Sequence, residues 1–162
     1  MNPSFIVNTG EVDKAIAIMR EVAQWCIDTG KQSWKLDELT SEKLTVGLTA
    51  NNFFIGKMNG IDACCMILQW YDSLFWPDSK EFEAGYIHKL CVRREFAGLR
   101  LSEKMIGFAM AECRKMNVRY LRLDTGLHKT KLCNLYESLG FTKVGETKNY
   151  SGEFALYEML IT

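Results

Sequence analysis

An excess of charge of one sign is missing from this chain. Twenty basic and twenty acidic side chains cancel across 162 residues, and no block of Lys and Arg stands out. That argues against nucleic acid as a partner. Long apolar runs are missing as well: none approaches the roughly 20 residues that a membrane-spanning helix needs. The opening MNPSFIVNTG has no charged stretch followed by a long apolar one, so no secretory leader is read. Six cysteines are present (Cys26, Cys64, Cys65, Cys91, Cys113 and Cys133), but they form no C-x-x-C pair and lie mostly in apolar runs. A structural zinc site and a disulfide framework are both disfavoured, and buried thiols in a reducing compartment fit better. The expectation is a soluble, cytoplasmic protein without a metal.

What remains is ordinary globular material. Hydrophobic residues make up 48% and charged residues 25%, so a conventional core is expected. The length suits one domain over residues 1–162, large enough to fold without staples. Phe5 to Val7 reads as a strand. A helix capped by Asp13 follows, with Ile16, Met19, Ala23, Cys26 and Ile27 on one face, stopping at Gly30. A second helical piece begins near Ser41. Phe53 to Lys57 and Ile61 to Trp70 read as strands joined by an Asn59-Gly60 turn. Adjacent Cys64 and Cys65 would point to opposite faces of the second of these. Tyr71 to Glu83, mixing aromatics and carboxylates around Pro77, reads as a loop. A strand to Val92, a helix to about Met116, a strand Tyr120 to Asp124 and a helix Leu132 to Leu139 come next. Phe141 to Thr147 and Phe154 to Ile161 close the chain as a hairpin, giving the order β-α-α-β-β-β-α-β-α-β-β.

The window Tyr86 to Met105, YIHKLCVRREFAGLRLSEKM, is the most informative. A strand breaks into a polar turn at Gly98, and an amphipathic helix follows with Leu101, Met105, Ala109, Cys113 and Met116 at helical spacing. The first turn of a helix carries unpaired N–H groups and the positive end of the peptide dipole, so the turn suits a phosphate. A classical dinucleotide fold would want more glycines in its first turn and an N-terminal βαβ unit, and neither is present.

Two motifs in order resemble the GCN5-related N-acetyltransferases. The family's Q/R-x-x-G-x-G/A turn corresponds to Ala97-Gly98-Leu99-Arg100-Leu101-Ser102. Its N-x-x-A-x-x-L-Y-x-x-x-G-F helix corresponds to Lys129 through Phe141, where the L-Y-x-x-x-G-F end matches fully. The chain departs from the pattern at Ala97, at Arg100 in place of the central glycine, and at Lys129 in place of Asn. Placed in the first helical turn, Arg100 would have negative φ and carry no strain, and its guanidinium suits phosphate. The resemblance covers nearly the whole chain. It implies an α/β (α+β) fold with a single mixed, strongly twisted sheet of about six to seven strands flanked by helices.

The resemblance also implies an activity: acetyl transfer from acetyl-coenzyme A to a primary amine of a small molecule or peptide, by direct attack on the thioester. The pyrophosphate would lie on the amides of Gly98 to Ser102, with Ala97 and Lys129 also near the cofactor. The pantetheine arm would lie along Leu90, Cys91 and Val92, where a backbone N–H could polarise the thioester carbonyl. Tyr136 would protonate the leaving thiolate; composition alone would read it as a core tyrosine. His88 would be the base, with Glu83 or water as alternatives. Asp124, at the end of its strand, reads as an ordinary solvated carboxylate. Trp34, Trp70 and Glu83 are expected at the acceptor site, within an aromatic and acidic set that also holds Trp25, Phe75 and Trp76. Trp25 is expected to be the most core-like of these. The rival reading is a non-catalytic or regulatory coenzyme A-binding module. The acceptor's identity, the length of the acyl group and a possible homodimer through the closing strands stay open.

Overall fold

The computed structural model describes residues 2–162, and eleven helices and strands stand in the expected order among them. They are β1 (Phe5–Thr9), α1 (Val12–Asp28), α2 (Ser41–Leu44), β2 (Phe53–Met58), β3 (Ile61–Gln69), β4 (Ala84–Val92), α3 (Leu101–Lys115), β5 (Tyr120–Gly126), α4 (Thr130–Ser138), β6 (Thr142–Asn149) and β7 (Gly152–Leu160). The strands form one mixed seven-stranded sheet in the order β1-β2-β3-β4-β5-β7-β6. The chain divides into two compact units: one gathers everything up to Leu68 with Lys89–Ile106, the other Gln69–His88 with Gly107–Thr162. No described helix is long and apolar enough to cross a membrane.

In the first unit, β1, β2 and β3 form an antiparallel meander. Asn59 and Gly60 both have positive φ, 51° and 81°, the geometry that an Asn-Gly pair supplies to a tight hairpin. β3 is buried from Ala63 to Leu68, so it reads as a continuous apolar run rather than an alternating one. Ala15, Ile18, Met19 and Ala23 of α1 pack with Leu39, Phe53, Ile55 and Ile67. The apolar face of α1 ends sooner than its periodicity predicts, since Ile27 is exposed. Its N-cap is Glu11 rather than Asp13, which lies inside the first turn, where its charge still complements the helix dipole. Trp25 is no core residue: it is half-buried, with Lys31 and Arg94 each 4.2 Å from the centroid of its ring. Cations over an indole face gain from its quadrupole, and they keep this aromatic at the surface.

All six cysteines are free thiols. Burial pushes the Cys64 thiol up to about 12, although the Gly56 carbonyl accepts from it. Burial and Cys91, whose sulfur lies 3.6 Å away, hold the Cys65 thiol well above the usual thiol value. Such thiols are poor nucleophiles at neutral pH.

In the second unit, β4 and β5 run parallel, with a register from Ala84↔Tyr120 to Ile87↔Leu123. Parallel neighbours need a long crossover, which α3 supplies. β7 pairs antiparallel with β5, and β6 pairs with β7. Tyr86, Leu121, Leu123, Tyr157 and Cys113 are almost fully buried. Gly140, at φ 100°, closes α4 by carrying the Phe141 amide back to the Tyr136 carbonyl.

Gly56 marks a tight approach in the first unit. A Cβ there would sit 2.5 Å from Cys64 Sγ and 2.7 Å from the Phe5 ring. Gly56→Ala is expected to cost about 1–3 kcal/mol through overpacking. Urea unfolding measures this, and a midpoint equal to that of the wild type would show that Phe5 swings aside freely.

Candidate active site

The glycine turn ahead of α3 is built from two left-handed residues, Gly98 at φ 83° and Arg100 at φ 59°. This corrects the reading of Arg100 as a first-turn helical residue. The helix begins at Leu101, and the Arg100 carbonyl receives the first helical bond from the Lys104 amide. Arg100 therefore takes the glycine-like conformation of the position it replaces, at a cost of about 1–2 kcal/mol for an L-residue. Its Nε lies 2.7 Å from Glu103 Oε2, and the side chain is exposed. Leu99, Arg100, Glu103 and Lys104 line a hollow of about 330 Å³ beside the first amides of α3. Its lining carries a guanidinium paired with the Glu103 carboxylate, and Lys104, whose ammonium lies 5.8 Å from the Phe5 ring centroid. Ala97 precedes the turn in extended conformation, and Ser102 lies in the first turn of α3.

Strand β4 carries the next group. Its ladder with β5 ends at Ile87↔Leu123, yet β4 runs on to Val92. Lys89 has φ 55°, an uncommon conformation for a strand residue, and it breaks the two-residue alternation that would set Leu90 on the face of His88. Leu90 and Val92 are half-buried and Cys91 is buried. Trp34 is half-buried against the core of the first unit, with the Lys89 ammonium 5.0 Å from its ring centroid.

In the second unit His88 stands between two carboxylates. Its Nε2 is 3.0 Å from Asp72 Oδ2 and its Nδ1 is 3.6 Å from Asp124 Oδ1. The Phe75 ring lies 6.1 Å away and meets Phe154 edge-on. Asp72 is nearly fully buried, and its Oδ1 accepts the amides of Leu74 and Phe75 at 3.2 Å each. Burial pushes the Asp72 carboxyl up, but His88 and the two amides outweigh it and hold the group below the usual aspartate value. A depressed carboxyl stabilises the fold while ionised, so its contribution is full at neutral pH and fades as pH falls through the acid range.

The loop carrying Asp72 is held by Arg122. This buried guanidinium bonds Glu158 Oε2 at 2.8 Å, the Tyr86 hydroxyl at 2.9 Å and Glu83 Oε2 at 3.4 Å. It also lies 4.7 Å from the Trp76 ring centroid and 4.9 Å from that of Tyr120. Glu83 is thus occupied by Arg122 and by the Lys80 amide. Trp70, half-buried just past β3, accepts the Phe82 amide.

On α4, Tyr136 is buried, its ring 6.0 Å from Phe141 and 6.3 Å from Tyr157. The Tyr157 hydroxyl donates to Glu137 at 3.2 Å. Burial, with Cys133 and Glu137 beside it, raises the Tyr157 phenol and keeps it protonated. Lys129 is the N-cap of α4, and its side chain covers Gly126.

The second unit thus brings His88 together with Asp124 and with Asp72, a loop carboxylate that neither motif marks. It does not bring Glu83 to His88, since Arg122 holds that carboxylate instead. The sequence signal for Asp72 was faint: an Asp two and three residues ahead of the amides it caps.

Comparisons with known proteins identify the family and the fold. The family described as "Acetyltransferase (GNAT) family" matches residues 19–141. The N-acetyltransferase YesJ of Bacillus subtilis (strain 168), itself uncharacterised, is 25% identical over 159 residues, covering 94% of this chain and 86% of that protein. A GNAT-family acetyltransferase structure from Listeria monocytogenes 4b F2365 superposes with a TM-score of 0.75 at 25% identity, covering 96% of this chain and 94% of that one. The yncA structure from Salmonella typhimurium, solved with its cofactor acetyl-CoA, superposes at 0.66 with 13% identity, covering 98% and 94%.

The strained Arg100 yields a test. Arg100→Gly is expected to raise unfolding stability by about 1 kcal/mol, because glycine enters the left-handed region without penalty. Thermal melts of the free protein measure it. A lowered midpoint would show that the Arg100–Glu103 pair outweighs the strain.

Proposed function

Since the chain belongs to the GNAT acetyltransferases, whose acyl donor is acetyl-coenzyme A, we propose that it acetylates a primary amine of a small molecule or peptide by direct attack on the thioester. The observation that carries this reading is His88, an imidazole on β4 between a buried carboxylate, Asp72, and a half-buried one, Asp124, at the point where the ladder with β5 ends.

Each group has a role set by its chemistry. The turn from Ala97 to Ser102 binds the donor's pyrophosphate through helix-start amides, with Arg100 turning from Glu103 toward the phosphates. Lys129 lends further positive charge near the donor. Leu90, Cys91 and Val92 offer main-chain groups to the amides of the pantetheine arm, and one N–H polarises the thioester carbonyl. His88 accepts the proton that the amine sheds as its N–C bond forms, directly or through one water. Tyr136 gives its hydroxyl proton to the sulfur as the C–S bond breaks, so an amide and a free thiol result. Both side chains then return to their starting states by exchange with water. Glu83 is the weaker candidate for base, because Arg122 already engages it. Trp34 and Trp70 provide apolar surface for the body of the amine.

Three experiments test this. Gly98→Asp adds a carboxylate beside the phosphates and a left-handed residue less willing than glycine, so coenzyme A affinity is expected to fall severely in calorimetric titration. Unchanged affinity in the folded variant would remove the turn from the binding site. Tyr136→Phe keeps the ring and removes the hydroxyl. Turnover should drop about 10²-fold with coenzyme A affinity retained. Wild-type turnover would leave Tyr136 as a packing residue. Thiol release over a panel of amines separates the enzyme from a binding module.

A further inference from the structure

We propose that Asp72 is a positioning residue that fixes His88 as the Nε2–H tautomer and leaves Nδ1 as its basic nitrogen. The inference rests on the reading of His88 as base and adds which nitrogen acts and what sets it.

Geometry carries the argument. Of the two carboxylates beside the imidazole, Asp72 is the nearer, at 3.0 Å against 3.6 Å, and the more buried, its side chain 5% exposed against 12%. An ionised carboxylate only accepts, so the nitrogen facing Asp72 must carry the proton. A neutral ring has one N–H, and placing it on Nε2 leaves the Nδ1 lone pair for proton transfer. Nε2 and Oδ2 stand 3.0 Å apart, and neither atom completes a hydrogen bond among the described residues, so each is the other's nearest available partner. Catalytic hydrogen bonds are commonly loose before substrate binds and tighten in the complex.

Asp72 is itself rigid. Its other oxygen is held by the Leu74 and Phe75 amides, and Phe75 extends from the same turn to the His88 ring. The titratable groups set against the imidazole are thus Asp72 from the loop and Asp124 from β5. Asp124 faces Nδ1, where it stabilises the imidazolium once the proton has arrived.

The substitution Asp72→Asn discriminates sharply. Its amide oxygen can keep the Leu74 and Phe75 bonds, which turns the NH₂ group toward Nε2. A donor there demands an acceptor, so the ring proton moves to Nδ1 and the base is lost. Long-range ¹H–¹⁵N correlation of the imidazole at mildly alkaline pH reads the tautomer without any substrate. The expected result is Nε2–H in the wild type and in Asp124→Asn, and Nδ1–H in Asp72→Asn. Turnover in Asp72→Asn should fall about 10²-fold or more, with the donor KM unchanged. An inverted tautomer with undiminished turnover would uphold the positioning by Asp72 and sink His88 as base. A wild-type ring that is Nδ1–H or doubly protonated overturns the inference, and this reading needs no variant to fold. An Asp72→Asn ring that keeps Nε2–H overturns it as well. So does activity lost to a chelator and restored by zinc, since the three groups, with ligand atoms within 4.8 Å of one another, would then serve a metal.

Discussion

A single buried cation organises the second unit. Arg122 has lost most of its water, a loss that must be offset by good partners. It has them: two carboxylates, a phenol hydroxyl and two aromatic faces. Burial works against its charge, and Glu158 and Tyr86 restore it. The partners come from β4, β5, β7 and the loop that precedes β4, so one guanidinium fastens the loop to the strands. The consequence reaches the chemistry, because Trp76 and Glu83 are loop residues on Arg122 and Asp72 is the loop residue on His88. Arg122 thus adds a second hold on a loop whose own turn already fixes Asp72.

A second constraint is the end of the β4–β5 ladder. Parallel pairing aligns Ile87 with Leu123, so the next residues, His88 and Asp124, come level where the main-chain bonding stops. A charged residue in a continuing buried strand would carry a desolvation cost with no return. At the end of the ladder the two side chains meet each other instead. The left-handed Lys89 follows immediately and sends the rest of β4 on a new course. His88 thus stands at the last regular position of its strand.

Much of this was legible in the residues. The Asn59-Gly60 turn, the helix ending at Gly140 and the order of all eleven elements follow from local chemistry that tertiary packing had no reason to override. The two motifs pointed to the fold and the donor. Four things were not legible. Arg100 was read as helical because its neighbours are, yet a position usually filled by glycine was itself the sign of positive φ. Asp124 looked like a solvated carboxylate, since only the parallel register places it beside His88. Asp72 lies sixteen residues before His88 in a loop without periodicity, so no spacing rule connects them. Trp25 failed for another reason: two cations make its surface position comfortable.

The division of labour within Asp72 has an evolutionary side. One oxygen folds the turn to Phe75 and the other meets the imidazole, so the start of the loop admits little change. The loop is pinned again at Trp76 by Arg122, and at Phe82, whose amide reaches the Trp70 carbonyl. Residues 77–81 lie between fixed posts. Lengthening such a segment costs little, because closure entropy grows only with the logarithm of its length. Insertions and drift can therefore accumulate there and reshape the surface of the loop, while Asp72 and His88 a few residues away inherit none of the change.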